Sequence, residues 1–376
     1  YKQRTISGYL DPAIDGVATT YDGLGRSIET LSDSELGPLL STVDYLPGFV
    51  KRTTNPRGFS TTATFQAFDE PSEDAPMTIV AASGQAEQVT TAFKRNVFGL
   101  ATEVKRSGTY QGAVSLARNY TFDSAMRLCK SIDPESGATV FNYDNANNLA
   151  WSASGQALPD TNPSACERAS VPASAKAVHS YNARNQRIST TFGDNGAPLV
   201  MTYTPDNLIE TATAGTGNAA VKWQYGYNKR RLGTTETLTV AGQNYAIGWS
   251  YTPNGHPRTI TYPDSSAVDY SPSALGEATE AGSYATNVNW APNGGLAGFT
   301  YGNGIVHGTE QNARGLPSRS YDTGVLDTYV GYDQNGNPKE LTDATLGSLD
   351  NRTLGYDGLD RLTSAFAPNL WGFGSY

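Results

Sequence analysis

Three histidines, His179, His256 and His307, are the natural candidates for acid–base or nucleophile-activating chemistry, because serine, threonine and aspartate are plentiful enough to give them partners. They fall in different parts of the chain, and no G-x-S-x-G nucleophile elbow accompanies any of them. His179 stands two residues before Tyr181, a strand-like spacing, and His256 follows a turn glycine, so no catalytic residue is expected. Asp333-Gln334-Asn335-Gly336-Asn337 opens like a calcium loop but lacks the terminal bidentate glutamate that such a loop needs. Gly215-Thr216-Gly217 lacks the third glycine of a dinucleotide site, and no Walker-type lysine is present. Neither a metal nor a cofactor is expected. Cys129 and Cys166 are too few for a disulfide framework and have no zinc-site spacing; pairing across a loop is one reading, and two unrelated free thiols is the preferred one.

With site chemistry set aside, the composition points to a β-rich, turn-rich chain. Hydrophobic residues make up 38% and charged residues 17% of 376 residues, while Gly (39), Tyr (22) and Pro (20) are abundant. The formal charge of -9 argues against a phosphate-tracking surface, so nucleic acid is excluded as the main partner. No stretch approaches the roughly 18 to 20 apolar residues of a membrane helix. The chain starts at Tyr1, and Trp371 to Tyr376 again read as strand, so it is expected to be a piece of something longer.

One short pattern recurs: an aromatic residue, a turn former such as Asp or Asn, two or three variable residues often including Gly, then Arg or an aliphatic residue. Clear copies begin at Tyr21, Phe122, Tyr143, Tyr181, Tyr203, Tyr227, Tyr251, Trp290, Tyr332 and Tyr356, and degenerate ones at Phe68, Arg95, Tyr270 and Gln311. From Tyr181 onward the starts are 19 to 24 residues apart, the length of one hairpin with two short turns. An apolar residue often sits two positions before the aromatic one, as in Met201/Tyr203 and Trp223/Tyr225/Tyr227, which is the period of a strand. The acid or amide at Asp22, Asp123, Asp144, Asp333 and Asp357 has a mechanical use: its side chain accepts a backbone N–H two residues on and starts a turn. Gly25 and its counterparts, often Gly or Asn, then supply positive φ. Asn254-Gly255, Asn293-Gly294 and Asn335-Gly336 stand at equal offsets and are strong hairpin signals. A second bend, at Asn55-Pro56-Arg57-Gly58 and Asp133-Pro134-Glu135-Ser136-Gly137, is expected to mark the opposite end of the hairpin.

The expected fold is therefore all-β: a repeat array of antiparallel β-hairpins over residues 1–376, forming a spiralling, curved sheet, with an Ala-, Ser- and Pro-rich surface loop inserted at 152–177. The aromatic ladder, in particular Trp223, Tyr225 and Trp249, is a candidate inner face; such rings stack on sugars, line a cavity, or pack against adjacent rungs.

The motifs Tyr21-Asp22-Gly23-Leu24-Gly25-Arg26 and Tyr356-Asp357-Gly358-Leu359-Asp360-Arg361-Leu362, with the unit running from Asp133 through Asn142-Tyr143-Asp144 to Leu149, resemble the RHS or YD-repeat family of bacterial polymorphic toxins, insecticidal toxin-complex shells and animal teneurins. The resemblance implies a β-cocoon or barrel shell, which in bacterial members encloses a toxic C-terminal domain until delivery and in teneurins serves adhesion. The expectation is a non-enzymatic shell or scaffold of a bacterial toxin, secreted or delivered by a bacterial secretion system. Its partner would be its own C-terminal cargo or a toxin-complex subunit. The alternative is a cell-surface module that binds glycan or protein.

Overall fold

A computed structural model describes residues 2–5, 16–67, 72–110, 112–158, 165–345, 351–368 and 371–375. The degenerate copy at Phe68, and the terminal Tyr1 and Tyr376, lie outside the described residues. The chain is all-β: strands of three to nine residues pair antiparallel in a sheet of 22 strands and a second of nine, and the described helices are three single 3₁₀ turns. Two units divide the chain, one of residues 1–94, 105–116 and 283–376, the other of 95–104 and 117–282.

Strands pair with their sequence neighbours, as the hairpin period requires, except between Ala267–Asp269 and Ala285–Trp290, where one sheet ends and the other begins. Strand Leu199–Tyr203 pairs with Ile209–Ala214, that with Val221–Tyr227, then Gly233–Val240, then Gln243–Tyr251. At most of the motif aromatics the register slips by one, because Tyr203 pairs with Ile209 rather than Glu210 and Tyr227 with Gly233 rather than Thr234. The slip is a G1 bulge behind a type I turn. In the copies at Asp22, Asn96, Asp123, Asp144, Asn182, Asn228, Asn312, Asp333 and Asp357, the side-chain Oδ1 accepts the N–H groups two and four residues on, at 2.8–3.1 Å. One short side chain thus satisfies two turn donors that would otherwise face water.

The fourth turn residue is left-handed. It is Gly25 (φ 78), Gly336 (φ 90) or Asn207 (φ 71) in copies that obey the expected rule, but Met126 (φ 61), Arg231 (φ 65) and Asp360 (φ 57) in three that do not. The Asn-Gly pairs occupy the third and fourth turn positions, so only the glycine takes positive φ and the hairpin loop has three residues rather than two. The bend at Asn55–Gly58 has the same geometry, with Asn55 Oδ1 accepting Phe59 N–H at 3.0 Å. It comes three turns after Asp22, so strand alternation puts it at the opposite end of the sheet from that turn, as expected.

The strands are amphipathic across their two faces. Trp223, Leu238 and Tyr245 are paired in register and share a face with Tyr225, Glu236 and Ile247, while Thr211, Gln224 and Thr237 share the other. Trp249 pairs with Ile260. Trp223, Tyr225 and Trp249 are half-buried against cross-strand neighbours while Tyr245 is exposed, and among the described residues buried apolar side chains are few.

The segment 152–177 departs from a simple loop. Its first five residues continue the strand Leu149–Gln156, and residues 165–176 carry two 3₁₀ turns, Arg168–Ser170 and Ala173–Ala175. Cys166 forms a disulfide with Cys129, with Cα atoms 5.3 Å apart, and this corrects the reading of two free thiols. The partners are 37 residues apart in sequence, and pairing across that distance is a tertiary approach that spacing alone does not encode. Beside the disulfide, Glu167 pairs with Lys130 at 2.6 Å, although Lys130 is only 1% exposed. Arg168 donates to Phe141 O (2.9 Å) and to Asp123 (3.1 Å). Val171 packs on Val140 and Ala153, with Trp151, Leu158 and Ala175 around them.

Candidate functional site: a seam of interlocking turns

Chemistry in this array is concentrated in the turns, and three successive layers of contact build on the motif. The first is the tyrosine itself. The hydroxyls of Tyr143, Tyr181, Tyr203, Tyr227, Tyr251 and Tyr332 donate to the carbonyls of Leu128, Leu149, Arg187, Ile209, Gly233 and Pro317, at 2.5–2.9 Å. Each acceptor opens the strand that follows the preceding motif turn, so every tyrosine fastens its own repeat to the one before. Burial pushes the phenols of Tyr143, Tyr181, Tyr227, Tyr332 and Tyr356 above their ordinary pKa, further from ionisation than a free tyrosine.

The second layer is an arginine at the third turn position. Arg184 donates to Pro205 O (2.9 Å), Arg230 to Pro253 O (2.7 Å), and Arg314 to Asp333 O (2.8 Å), in each case the turn of the next motif. A different arginine, at the fifth position, closes its own turn: Arg26 and Arg361 reach back to Asp22 and Asp357 at 2.7 Å. At Asp123, burial would raise the carboxyl pKa, but hydrogen bonds from Arg127 and Arg168 hold it at about 2.

The third layer joins turns about 300 residues apart within the unit that holds both ends of the described chain. Arg57, again at a third turn position, donates to Tyr356 O (2.8 Å), Asp357 O (2.9 Å) and Asp360 Oδ1 (2.6 Å), with Asp333 Oδ2 at 3.3 Å. Glu35 accepts from both Nε (3.2 Å) and Nη2 of Arg314. Glu87 accepts the Gly358 N–H at 2.8 Å, and the Arg361 guanidinium lies 5.9 Å from the Tyr110 ring centre. The order is collinear: positions 35, 57 and 87 meet 314, 333/360 and 358 in turn. Asp360 Oδ1 also receives Asn335 and Asn337 amides at 3.0 and 2.8 Å, so four polar groups converge where the backbone holds a left-handed aspartate. Strain of roughly 1–3 kcal/mol at such a residue persists only where surrounding contacts fix it, and these do. Burial works to raise the carboxyl pKa of both Asp360 and Glu35, but Asn335, Asn337 and Arg57 hold the first below the usual range and Arg314 holds the second there.

The residues singled out from sequence therefore divide. Asp333, the head of the calcium-like loop, spends Oδ1 on Asn335 and Asn337 N–H and Oδ2 on Asn337 Nδ2 and Arg57. His179 Nδ1 faces Thr190 Oγ1 at 2.9 Å across a strand pair. His307 Nδ1 meets Asp322 Oδ1 at 2.9 Å with Phe299 against its ring, and His256 N–H donates to Thr252 Oγ1. The three histidines are not brought together. Arg57, Glu35 and Glu87 were not picked out from sequence. The only signal for Arg57 was its third-position place in the Asn55–Gly58 bend, shared with Arg184, Arg230 and Arg314.

This architecture defines a class of protein, an array of antiparallel hairpins whose motif turns are mostly capped by an Asp, Asn or Thr side chain. Over 93% of its length the chain is similar to the crystal structure of TcdB2-TccC3 (TM-score 0.57, 10% identity) and to that of TcdB2-TccC3 without its hypervariable C-terminal region (TM-score 0.56, 10% identity). It is likewise similar over 93% to the structure of the Photorhabdus luminescens Tc holotoxin pore (TM-score 0.56, 10% identity). The chain spans about a fifth of the length of each, 19–20%. No protein-family model and no curated protein matches it. The all-β array of antiparallel hairpins expected from the sequence is the fold found, as two open sheets rather than a closed barrel.

Proposed function

We propose that this array is a stretch of wall in a toxin-complex-type shell, a container that encloses and protects a cargo domain until delivery. The observation that carries the reading is the collinear seam of Glu35, Arg57 and Glu87 with Arg314, Asp333/Asp360 and Gly358, because a wall must be sealed rim to rim where one winding meets the next. Hairpin pairing leaves strand edges only at the ends of each of the two sheets, and tyrosine hydroxyls and turn arginines lock repeats to their neighbours. The likeness to toxin-complex structures supports the same reading. The proposed role is mechanical, not enzymatic: the rings of His179 and His307 serve cross-strand contacts, and His256 lends its backbone N–H to a turn. The protein would be secreted or delivered by a bacterial secretion system, its partner being its own cargo or another subunit of the complex.

The test is limited proteolysis of the full-length protein, read by mass spectrometry, beside a cryo-EM reconstruction. Protection of a cargo segment in the intact protein, and additional density inside a closed wall, are expected. A cargo cleaved as fast in the intact protein as when separated from the array would overturn the proposal.

A further inference from the structure

We infer that residues 165–176 form a strap that a disulfide fastens over one part of the sheet and that a thiol reductant releases, leaving the array itself folded. The anchor is Cys129–Cys166, with Cys129 fully buried in strand Leu128–Asp133 and Cys166 half-exposed in the strap. A reducing thiolate therefore reaches the Cys166 sulfur first. It forms a mixed disulfide there as the S–S bond breaks and Cys129 leaves as a thiolate, and a second thiol then frees Cys166, two electrons in all coming from the reductant.

Once the bond is cut, the strap keeps its C-terminal tether, where Lys176 O accepts the Gly193 N–H at 2.9 Å and Ala173 and Ser174 lie against Gly193, and only a few side-chain contacts elsewhere. Glu167–Lys130 is an ion pair whose desolvation offsets much of its attraction, Arg168 contributes one carbonyl and one carboxylate contact, and Val171 is the strap's buried apolar side chain. Against these stands the conformational entropy of the twelve residues 165–176. The covalent link decides the balance.

The sheet below does not depend on it. Strand Leu128–Asp133 stays paired with Gly137–Tyr143, and Tyr143 still donates to Leu128 O. Release uncovers Val140, Ala153 and Trp151, which the strap covers through Val171 and through Lys176, whose ammonium lies 4.3 Å from the Trp151 ring centre. The compartment then sets the surface: covered in an oxidising medium, open in a reducing cytoplasm.

Hydrogen exchange of the whole chain with and without a phosphine reductant, with thiol alkylation to verify the redox state, tests this. Reduction is expected to speed exchange at least ten-fold in peptides covering 165–176 and 149–156, leave 199–251 unchanged, and reverse on reoxidation. The Cys166→Ala variant should show the reduced pattern under both conditions. Unchanged exchange in the verified dithiol would show that the strap is held without the bond. Faster exchange throughout would make the disulfide a structural staple rather than a release. Free thiols in protein purified under oxidising conditions would overturn the proposal at its start.

Discussion

Arg57→Ala is the substitution that most directly tests the seam. Arg57 is 13% exposed at its side chain and serves two backbone carbonyls and two carboxylates. Its loss leaves Asp333, 11% exposed, without a cation, and removing one member of a buried pair costs about 3–5 kcal/mol. Asp360 is 39% exposed, so water relieves part of its share, and the net expectation is about 2–4 kcal/mol. Because a repeat array does not unfold as one unit, the readout is local. Amide exchange in peptides covering 333–337 and 352–361 should accelerate about 30- to 700-fold, at a tenfold change per 1.4 kcal/mol. Exchange in 199–251, which lies in the other unit, should not change. Arg57→Lys keeps the charge but loses the fork that reaches two carbonyls and Asp360 together, and should recover only part of the protection. If Arg57→Ala left both seam peptides at wild-type exchange, the argument that this side chain holds the turns together would be refuted.

Three further outcomes follow from the same geometry. Tyr227→Phe removes one hydroxyl bond to Ile209 O and should cost about 0.5–1.5 kcal/mol, seen as faster exchange in 209–214 and 221–227; an unchanged profile would remove the tyrosine clamp from the account. Met126→Gly should raise local stability by about 1 kcal/mol, because a left-handed side chain costs roughly 1–2 kcal/mol that glycine does not, and faster amide exchange in peptides covering 119–132 would contradict it. Acid should loosen the turns: Asp123 sits at about 2 in the fold against 3.8 unfolded, so its contribution, about 2 kcal/mol, is complete above pH 4 and is lost as pH falls toward 2. Asp360 and Glu35, also depressed, should weaken the seam over the same acid side, and a seam whose exchange protection is flat from pH 6 to pH 3 would exclude this.

The sequence by itself determined what is local. The aromatic, the acid or amide after it and the Gly or Asn three residues beyond that act on one another within six residues, so the period of 19 to 24 residues and the hairpin unit were legible, as were the turn acceptors Asp22, Asp144 and Asp333. Even there the fourth turn position was overruled at Met126, Arg231 and Asp360, and for Asp360 tertiary partners supply the compensation. What only the tertiary structure decided is which turns meet. Arg57 reaches Asp360 across 303 residues, Arg314 reaches Glu35 across 279, and Cys129 finds Cys166 across 37. A charge at a turn tip reads the same whether it faces water or another turn. Its partner is selected by how turns far apart in sequence fold together within one unit, which no single repeat encodes.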